Sequence, residues 1–549
     1  GFPRLLESVS EAYKTNRSEI ERVTTQLTEQ MGKNGNITAG VTPLTVDIMH
    51  QAYSSLATNF DYQNGGFGNA PKFPQPMTPE FLLRYYNQGF NPRALEMVEF
   101  TLEKMAYGGM YDQIGGGFHR YSTDAYWLVP HFEKMLYDNA LIARLYLHAY
   151  QITGKSLYQR ITQETIDYVL REMTDANGGF YSAQDADSEG VEGKFFVWSL
   201  PEIINSLGST SGDIFSKFYG VTDNGNFEGN NILNISKSLE SFCLENQLEL
   251  ENLQVILDHG KTVLLEIRNK RIHPLLDDKI LSSWNGLMLK TLAEAGSTLK
   301  RQDYITAAKH NAMFIINNMK TDSRLLRSYR TGQAKLLGYL EDYSFVVDGL
   351  ISLYEATFEN QWMEEAIKLV DDMIILFWDS ALGGFYDTGH DHEPLVVRPR
   401  DIFDNAQPCG GSVAADVLLR LSIITGNEDY ISKASTSMRG LHQLMARAPG
   451  GTAHWLSALD SYVNAPKEIA IIGTGNNIET QAFKNVVFEA YVPNKVLVGK
   501  NKDDQGIDSP LLQHRDTDGE SPVAYVCQNY TCQYPARDTA TFIEQLKNH

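Results

Sequence analysis

The sequence predicts a mainly helical protein whose body is an (α/α)6 toroid, a closed ring of six helical hairpins, with a small C-terminal α/β appendage. Between residues 40 and 450, about twelve segments repeat their apolar residues at helical spacing. A Gly-Gly-Phe tripeptide recurs in the connections, and its first three copies are separated by roughly one hairpin plus a loop. Patterns typical of short buried strands follow residue 463.

The predicted elements divide the chain into three domains, at residues 1–35, 36–462 and 463–549. Residues 1–35 contain one amphipathic helix, with Leu5, Leu6, Val9, Ala12 and Tyr13 on one face. The periodic segments of the second domain lie near residues 45–58, 78–88, 92–107, 134–153, 157–174, 247–270, 284–299, 302–319, 342–359, 361–378, 411–425 and 428–445. The Gly-Gly-Phe copies are residues 65–67, 116–118, 178–180 and 383–385. Strands are predicted at residues 467–473, 494–499 and 523–527.

Composition and charge exclude several classes of partner. The 549 residues carry a formal net charge of −21, which repels nucleic acids and anionic membranes. No apolar stretch reaches the roughly 18 residues that a membrane span needs, and the N-terminus lacks the pattern of a secretory signal. Four cysteines in this length argue against a disulfide scaffold, so we predict a cytoplasmic protein.

The densest group of reactive side chains lies between Gly115 and Asp138. It contains His119, Arg120, Trp127, His131, Glu133 and Asp138. Two imidazoles with a neighbouring carboxylate could transfer protons on a sugar. The alternative is structural, because acids favour the positive start of a helix and His131 could be a cap.

Acidic residues also alternate in a loop that contains Asp185 and Asp187. Counted from Asp185, Gly190 has the position of the glycine in a calcium loop, but Phe196 occupies the position of the bidentate glutamate. We therefore predict no metal. No phosphate-binding or dinucleotide-binding glycine pattern is present, and we predict no cofactor.

Further polar residues stand at predicted helix starts. These are Asp278, Trp284, Asn285, Asp342 and Asp404. Each acid alone could be a cap. Together, at corresponding helix ends, they predict an acidic, aromatic cleft. Cys409 lacks an evident histidine partner, and Cys527 and Cys532 have no second pair that would complete a zinc site.

Several of these stretches resemble the spermatogenesis-associated-type family, whose members join an N-terminal thioredoxin-like domain to a six-hairpin-glycosidase-like body. The matching stretches are residues 65–76, 115–138, 178–198, 277–288, 398–412 and 524–532. The resemblance implies that residues 1–35 are the last helix of the thioredoxin-like domain, without its redox motif. The chain departs from the family at Asp404-Asn405-Ala406 and Cys409-Gly410-Gly411, where the family tends to have Asp-Gly-Ala and Ser-Gly-Asn.

The predicted function is that of a carbohydrate-active enzyme whose cleft lies at one end of the toroid. A sugar epimerase or isomerase would use His119 and His131 as acid and base, with Arg120 on an enolate oxygen. An inverting glycoside hydrolase would use Asp185 with Asp278 or Asp342. The residues predicted to bind substrate are Arg120, Trp127, Glu133, Asp138, Asp187, Trp284, Asn285 and Asp404.

The alternative function is a non-catalytic scaffold. Such a toroid would bind a ligand or client protein beside a thioredoxin-like domain or partner. Turnover of a bound sugar distinguishes the two predictions.

Overall fold

The computed structural model describes residues 1–35, 40, 42–321, 324–473, 478–501, 506–517, 521–529 and 531–547. Its helices are α1 (Phe2–Thr15), α2 (Arg17–Gly35), α3 (Val46–Asn59), α4 (Met77–Asn87), α5 (Arg93–Tyr107), α6 (Leu136–Thr153), α7 (Ser156–Glu172), α8 (Leu200–Leu207), α9 (Ser209–Phe218), α10 (Leu239–Asn246), α11 (Leu250–Arg268), α12 (Ser282–Thr298), α13 (Gln302–Asn318), α14 (Leu340–Thr357), α15 (Asn360–Phe377), α16 (Gly410–Thr425), α17 (Glu428–Arg439), α18 (His442–Arg447), α19 (Ala453–Val463), α20 (Ile478–Glu489) and α21 (Thr539–Lys547).

Six of these helices form a closed inner ring. In order around the ring they are α4, α6, α12, α14, α16 and α19, and α19 packs against α4 to close it. Each inner helix also packs against an outer helix; the outer layer consists of α5, α7, α13, α15, α17 and, beside α19, α3 with α18. The predicted (α/α)6 toroid is therefore confirmed.

Burial distinguishes the two layers. Inner helix α14 buries 16 of its 18 residues because helices surround it, whereas outer helix α15 buries nine of 18 along one face. Helices α12 and α14 approach most closely where two glycines meet. A Cβ added to Gly286 would lie 2.5 Å from the carbonyl carbon of Phe345, and one added to Gly349 would lie 2.8 Å from the carbonyl oxygen of Gly286.

Two helices of the ring differ from the prediction. The predicted helix at residues 247–270 forms as α11, but it packs with α8, α9 and α10 in a separate core outside the ring. The inner helix α19, which completes the ring, has no counterpart among the predicted segments. The single amphipathic helix predicted near the N-terminus is two helices, α1 and α2, and the apolar face of α1 is exposed.

Short strands connect the ring helices at one end, where only loops were expected. They are β1 (Tyr121–Ser122), β2 (Pro130–His131), β3 (Lys134–Met135), β4 (Ala183–Gln184), β5 (Asp187–Ser188), β6 (Val191–Glu192), β7 (Leu276–Asp277), β8 (Ile280–Leu281), β9 (Leu326–Arg330), β10 (Gln333–Leu337), β11 (Trp378–Asp379) and β12 (Gly384–Phe385). Strands β3, β4 and β7 form one antiparallel sheet, and β8, β9 and β10 form another. These two sheets connect the segments that precede α6, α12 and α14.

The C-terminal appendage has the predicted α/β character. Its strands are β13 (Lys467–Gly473), β14 (Lys495–Asn501), β15 (Val523–Gln528) and β16 (Thr531–Cys532), in the spatial order β14-β13-β15-β16. Strand β13 is parallel to β14 and antiparallel to β15. A disulfide joins Cys527 to Cys532 across β15 and β16, a pairing that the sequence analysis did not predict. Strand β14 packs on α14 and α16 of the ring.

Candidate functional site

The side chains at the N-terminal ends of α6 and α12 form a cluster that we call the rim site. It consists of Arg120, His131, Glu133, Tyr137, Asp138 and Trp284. The segments that carry the first three residues are held by antiparallel pairing of β1 with β2. The aromatic rings of Tyr137 and Trp284 meet edge to face, with their centroids 4.8 Å apart, and so connect α6 to α12.

Three of these residues form a partly exposed charged network. Arg120 Nη1 donates to Glu133 Oε2 at 2.9 Å, and His131 Nε2 lies 3.6 Å from the same oxygen. On its other side, His131 Nδ1 lies 2.7 Å from Glu192 Oε1, and its ring stacks on Tyr121. The side chains of Arg120 and His131 are 40% and 28% exposed, so a ligand can reach them.

Asp138 lies in the first turn of α6 and is only 3% exposed. Its Oδ2 atom has no hydrogen-bond partner among the described residues. Burial raises the pKa of this carboxyl well above its ordinary value. The positive charge of Arg120 lowers the pKa and the negative charge of Glu133 raises it, but burial has the largest effect. Burial therefore favours the protonated form of this side chain, which lies close enough to the Arg120 guanidinium to be attracted by its charge.

The other predicted acids at this end lie apart from the rim site. Asp185 and Asp187 are exposed around the β5–β6 hairpin, where Asp185 accepts the backbone N–H of Asp187. Asp278 pairs with Arg330, whose Nε lies 2.6 Å from its Oδ1. None of these three acids has a described contact with Asp138 or His131, and their predicted roles stay predictions.

Two predicted residues are packed into the protein interior. His119 is 2% exposed, its ring lies edge-on against Phe132 and Phe196, and its Nδ1 lies 2.8 Å from the carbonyl oxygen of Phe132. Burial lowers the pKa of His119 to about 3, so the imidazole is neutral. Trp127 is fully buried and donates its indole N–H to the carbonyl oxygen of Asn64. Neither side chain contacts the rim site.

Asn285 and its counterpart Asn139 clamp the Gly-Gly-Phe turns. Asn285 Oδ1 accepts the backbone N–H of Phe180, and its Nδ2 donates to the carbonyl oxygen of Phe180. Asn139 makes the same two bonds to Phe118. The contact recurs because, in both cases, the Gly-Gly-Phe turn precedes the inner helix that carries the asparagine, α6 or α12.

Asp342 and Asp404 act as caps in this structure. Asp342 accepts the backbone N–H groups of Ser283 and Tyr339, and it pairs with Arg327 at 3.1 Å. Burial raises the pKa of Asp342 to about 6. Asp404 accepts the backbone N–H groups of Cys409, the residue before α16, and of His454, the second residue of α19.

A second set of charged residues, which was not predicted from the sequence, lies in the interior of the ring. Four inner helices carry two ionisable residues one turn apart. Three of these pairs are oppositely charged, Glu80 and Arg84, Lys290 and Glu294, and Asp416 and Arg420, whereas the fourth, Arg144 and His148, consists of two bases. Such pairs are usually found on exposed faces, but here all of them point into the ring. One feature of the sequence could have indicated that these charged residues are interior: they occur in helices that are otherwise almost entirely apolar.

The described residues contain no group of three or more His, Cys, Asp or Glu side chains arranged to hold a metal ion. Burial, together with the charge of Asp404, raises the pKa of the Cys409 thiol, which therefore stays protonated. Within the described part of the chain no helix combines the length and hydropathy that crossing a membrane requires.

A closed ring of six helical hairpins with its polar loops at one end is the architecture of the six-hairpin toroids. The chain belongs to the family of spermatogenesis-associated protein 20. It is 34% identical to the human protein of that name over an alignment 584 residues long. The alignment covers 98% of this chain and 74% of the human protein. The rat protein is 33% identical with the same coverage. No family model matches the chain.

Solved structures with a similar chain path include a cellobiose 2-epimerase from Spirochaeta thermophila. It is 14% identical, covers 74% of this chain and 89% of its own, and superposes with a TM-score of 0.46. A GH76 α-mannanase from Bacteroides thetaiotaomicron is 10% identical, covers 76% of this chain and 95% of its own, and also has a TM-score of 0.46.

Proposed function

We propose that the protein is a carbohydrate-active enzyme that binds a reducing sugar at the rim site and moves a proton on it. The observation that carries this proposal is Asp138, a buried carboxyl whose Oδ2 atom has no hydrogen-bond partner among the described residues. Leaving a buried polar atom unpaired costs about 1–3 kcal/mol. Proteins retain such atoms most readily where a ligand supplies the missing partner.

The proposed substrate contacts follow from the side chains present. Trp284 offers an aromatic face for a sugar ring, and Arg120 offers N–H donors for a carbonyl oxygen. The charges that act on Asp138 are those of Arg120 and Glu133. Because these two side chains are partly exposed, a sugar that draws Arg120 away from Glu133 gains access to Asp138.

Of the two predicted reactions, epimerisation or isomerisation fits these groups better than hydrolysis. Glu192 holds His131 at Nδ1, which leaves Nε2 to accept the proton from the carbon next to the sugar carbonyl. The electrons of that C–H bond form an enolate, whose oxygen accepts the Asp138 proton beside Arg120. Return of a proton to the opposite face of the carbon gives the epimer, and its delivery to the former carbonyl carbon gives the isomer. In both cases the hydroxyl that becomes the carbonyl gives its proton to Asp138, which restores the acid.

Solvent isotope exchange tests this proposal whichever product the reaction forms. The purified chain is incubated in D2O with a panel of reducing mono- and disaccharides, and NMR follows deuterium at the carbon next to the carbonyl. We expect exchange with at least one sugar. His131→Gln and Asp138→Asn should each slow it by at least about 100-fold, while the exposed-histidine control His259→Gln retains it.

Thermal unfolding of each variant is the accompanying control, and midpoints within a few degrees of the parent show that the fold is intact. Exchange that survives both rim substitutions would contradict the assigned roles. Saturable sugar binding without any exchange would instead support the scaffold hypothesis, and the absence of both would refute the carbohydrate proposal.

A further inference from the structure

A disulfide lies at the edge of the C-terminal sheet, outside the ring that carries the rim site. It joins Cys527 on β15 to Cys532 on the two-residue edge strand β16, and the two residues are direct partners in the antiparallel register. Only four residues lie between them in the chain. The stability that a disulfide adds grows with the length of the loop that it closes. This bond, between strands that already pair, therefore adds little to the stability of the fold.

The two cysteines differ in their exposure. Cys527 is 1% exposed, and its strand pairs with β13 at five positions. Cys532 is exposed, because β16 ends the sheet. Thiol–disulfide exchange begins when an external thiolate attacks one of the two sulfurs, and the rate depends on access to that sulfur. An external thiolate therefore attacks Cys532, and the sulfur of Cys527 is the leaving group.

Arg515 lies beside this leaving group. Its Nη2 atom donates to Cys527 Sγ at 2.9 Å and lies 3.5 Å from Cys532 Sγ. Its Nη1 atom is buried and has no hydrogen-bond partner among the described residues. Glu468, which faces Cys527 on β13, attracts Arg515 through its charge, but the two side chains form no described ion pair. The guanidinium is therefore placed to stabilise a thiolate at Cys527, because a neighbouring arginine favours the charged form of a thiol.

We propose that Cys527 and Cys532 form a thiol–disulfide exchange site that an external dithiol reduces, with Arg515 as the residue that stabilises the leaving thiolate. A thiolate of the dithiol attacks Cys532 Sγ and forms a bond to it, and the Cys527–Cys532 bond breaks with its electron pair on Cys527. The second thiol of the dithiol loses its proton, attacks the first sulfur of the dithiol and releases Cys532.

The exchange transfers two electrons to the protein, and the dithiol becomes a disulfide. Cys532 takes up one of the two protons that the dithiol loses. The other proton stays in the solvent, because Cys527 remains a thiolate beside Arg515. An external disulfide reverses the reaction and restores the bond between the two cysteines.

The surrounding structure allows this exchange without unfolding. Cys527 stays in the ladder between β15 and β13 when the bond between the sulfurs breaks. The guanidinium of Arg515 also lies over the ring of Tyr525, on the same strand, at 5.4 Å from the ring centroid. Both groups therefore keep their places in the reduced protein. The site belongs to the appendage, and the inference does not depend on the proposed function.

Reduction of the folded full chain by dithiothreitol, a small dithiol, tests the proposal. Samples are quenched with acid, unfolded and labelled with a maleimide, and mass spectrometry counts the thiols. We expect the count to rise from two to four per chain without denaturant, because Cys243 and Cys409 are already free. Arg515→Gln should slow the reduction by roughly tenfold, since the leaving thiolate loses the positive charge that stabilises it.

Two further variants distinguish a chemical role of Arg515 from a structural one. Arg515→Lys keeps the charge and should restore most of the rate. Arg447→Gln, which removes an exposed arginine at the end of α18, is the matched control and should be reduced as fast as the parent. A merely structural role would give the opposite result in Arg515→Gln, because a loosened hairpin exposes the bond and speeds its reduction.

A monothiol identifies the sulfur that is attacked. Reduced glutathione carries one thiol, so that acid can trap the mixed disulfide before a second molecule resolves it. Peptide mapping by mass spectrometry should then find the glutathione adduct on Cys532 and not on Cys527. This measurement needs no variant, and so it decides the question if Arg515→Gln fails to fold.

Three results would overturn the proposal. They are a bond that is reduced only where denaturant unfolds the chain, an Arg515→Gln variant that is reduced at least as fast as the parent, and an adduct on Cys527. The rim variant His131→Gln should be reduced as the parent is, which separates this test from that of the sugar proposal.

Discussion

His148 lies between two carboxylates in the ring interior. Its Nδ1 is 2.7 Å from Glu80 and its Nε2 is 3.2 Å from Glu294, with the ring of Tyr491 beside it. Burial by itself lowers the pKa of His148, but the charge of Glu80 and the bonds to both carboxylates outweigh it and raise the pKa above the ordinary value. The protonated imidazole therefore contributes to stability.

This arrangement predicts a pH dependence of unfolding. Because the pKa of His148 is higher in the folded than in the unfolded state, its contribution is complete below about pH 6.5 and is lost as pH rises through the folded value. We expect the unfolding free energy of the parent, measured by urea denaturation, to fall over that interval. His148→Gln should flatten the fall, whereas His259→Gln should not. An unchanged pH profile in His148→Gln would contradict the assignment.

Some individual residues of the candidate site could be predicted from the sequence, and others could not. The rim site residues Arg120, His131, Glu133 and Asp138 could be singled out because reactive side chains are concentrated in one short stretch. His119, from the same stretch, is packed between phenylalanine rings, and spacing alone does not distinguish the two environments. The interior charges escaped prediction because opposite charges one turn apart are typical of solvated helix faces.

At the scale of elements, the Gly-Gly-Phe turn and the asparagine of the following helix form one unit. Asn285 bonds to both the N–H and the carbonyl of Phe180, and also to the carbonyl oxygen of Leu281 at 2.9 Å. Phe180 is itself buried against the core. The unit therefore fixes the position of the turn relative to the inner helix.

Removing the clamp should destabilise the protein strongly. Asn285→Ala leaves the N–H and carbonyl of Phe180 buried and unpaired, and we expect the unfolding free energy to fall by about 3 kcal/mol. Asn177→Ala, in the same loop but exposed and bonded only to Asp175, should cost less than about 0.5 kcal/mol. Denaturant titration of both variants provides the comparison, and equal losses would refute the role of the clamp.

Element boundaries were predictable where apolar residues repeat over three or more turns, as in α6 or α14. Helix α19 has 11 residues and follows a Pro-Gly-Gly turn, and so offered too short a pattern. Helix α11 was predicted as a helix but assigned to the ring, because periodicity identifies a buried face without identifying what covers it. The two- and five-residue strands of the rim depend on pairing between distant segments, which local sequence does not encode.

At the scale of the whole molecule, the ring is completed by the seam between α4 and α19. Asp460 on α19 is fully buried and accepts hydrogen bonds from Gln88 at the end of α4 and from Asn464 and Asn494. Arg84 of α4 lies 3.5 Å from the same carboxylate. The seam thus joins the first inner helix, the last inner helix and the appendage.

Asp460→Ala should therefore lower the unfolding free energy of the whole molecule and not only that of one part. Removing one member of a buried, hydrogen-bonded ion pair typically costs about 3–5 kcal/mol, because the remaining charge stays buried without its partner. Asp429→Ala, which breaks an exposed ion pair with Lys433 on outer helix α17, should cost less than about 1 kcal/mol. A closed ring cannot lose one seam without exposing both neighbouring helices. We therefore expect Asp460→Ala to unfold in a single transition, at a lower denaturant concentration than the parent. Circular dichroism and tryptophan fluorescence measure this transition. Two separated transitions, or non-coincident curves from the two probes, would mean that the seam opens independently of the remaining ring.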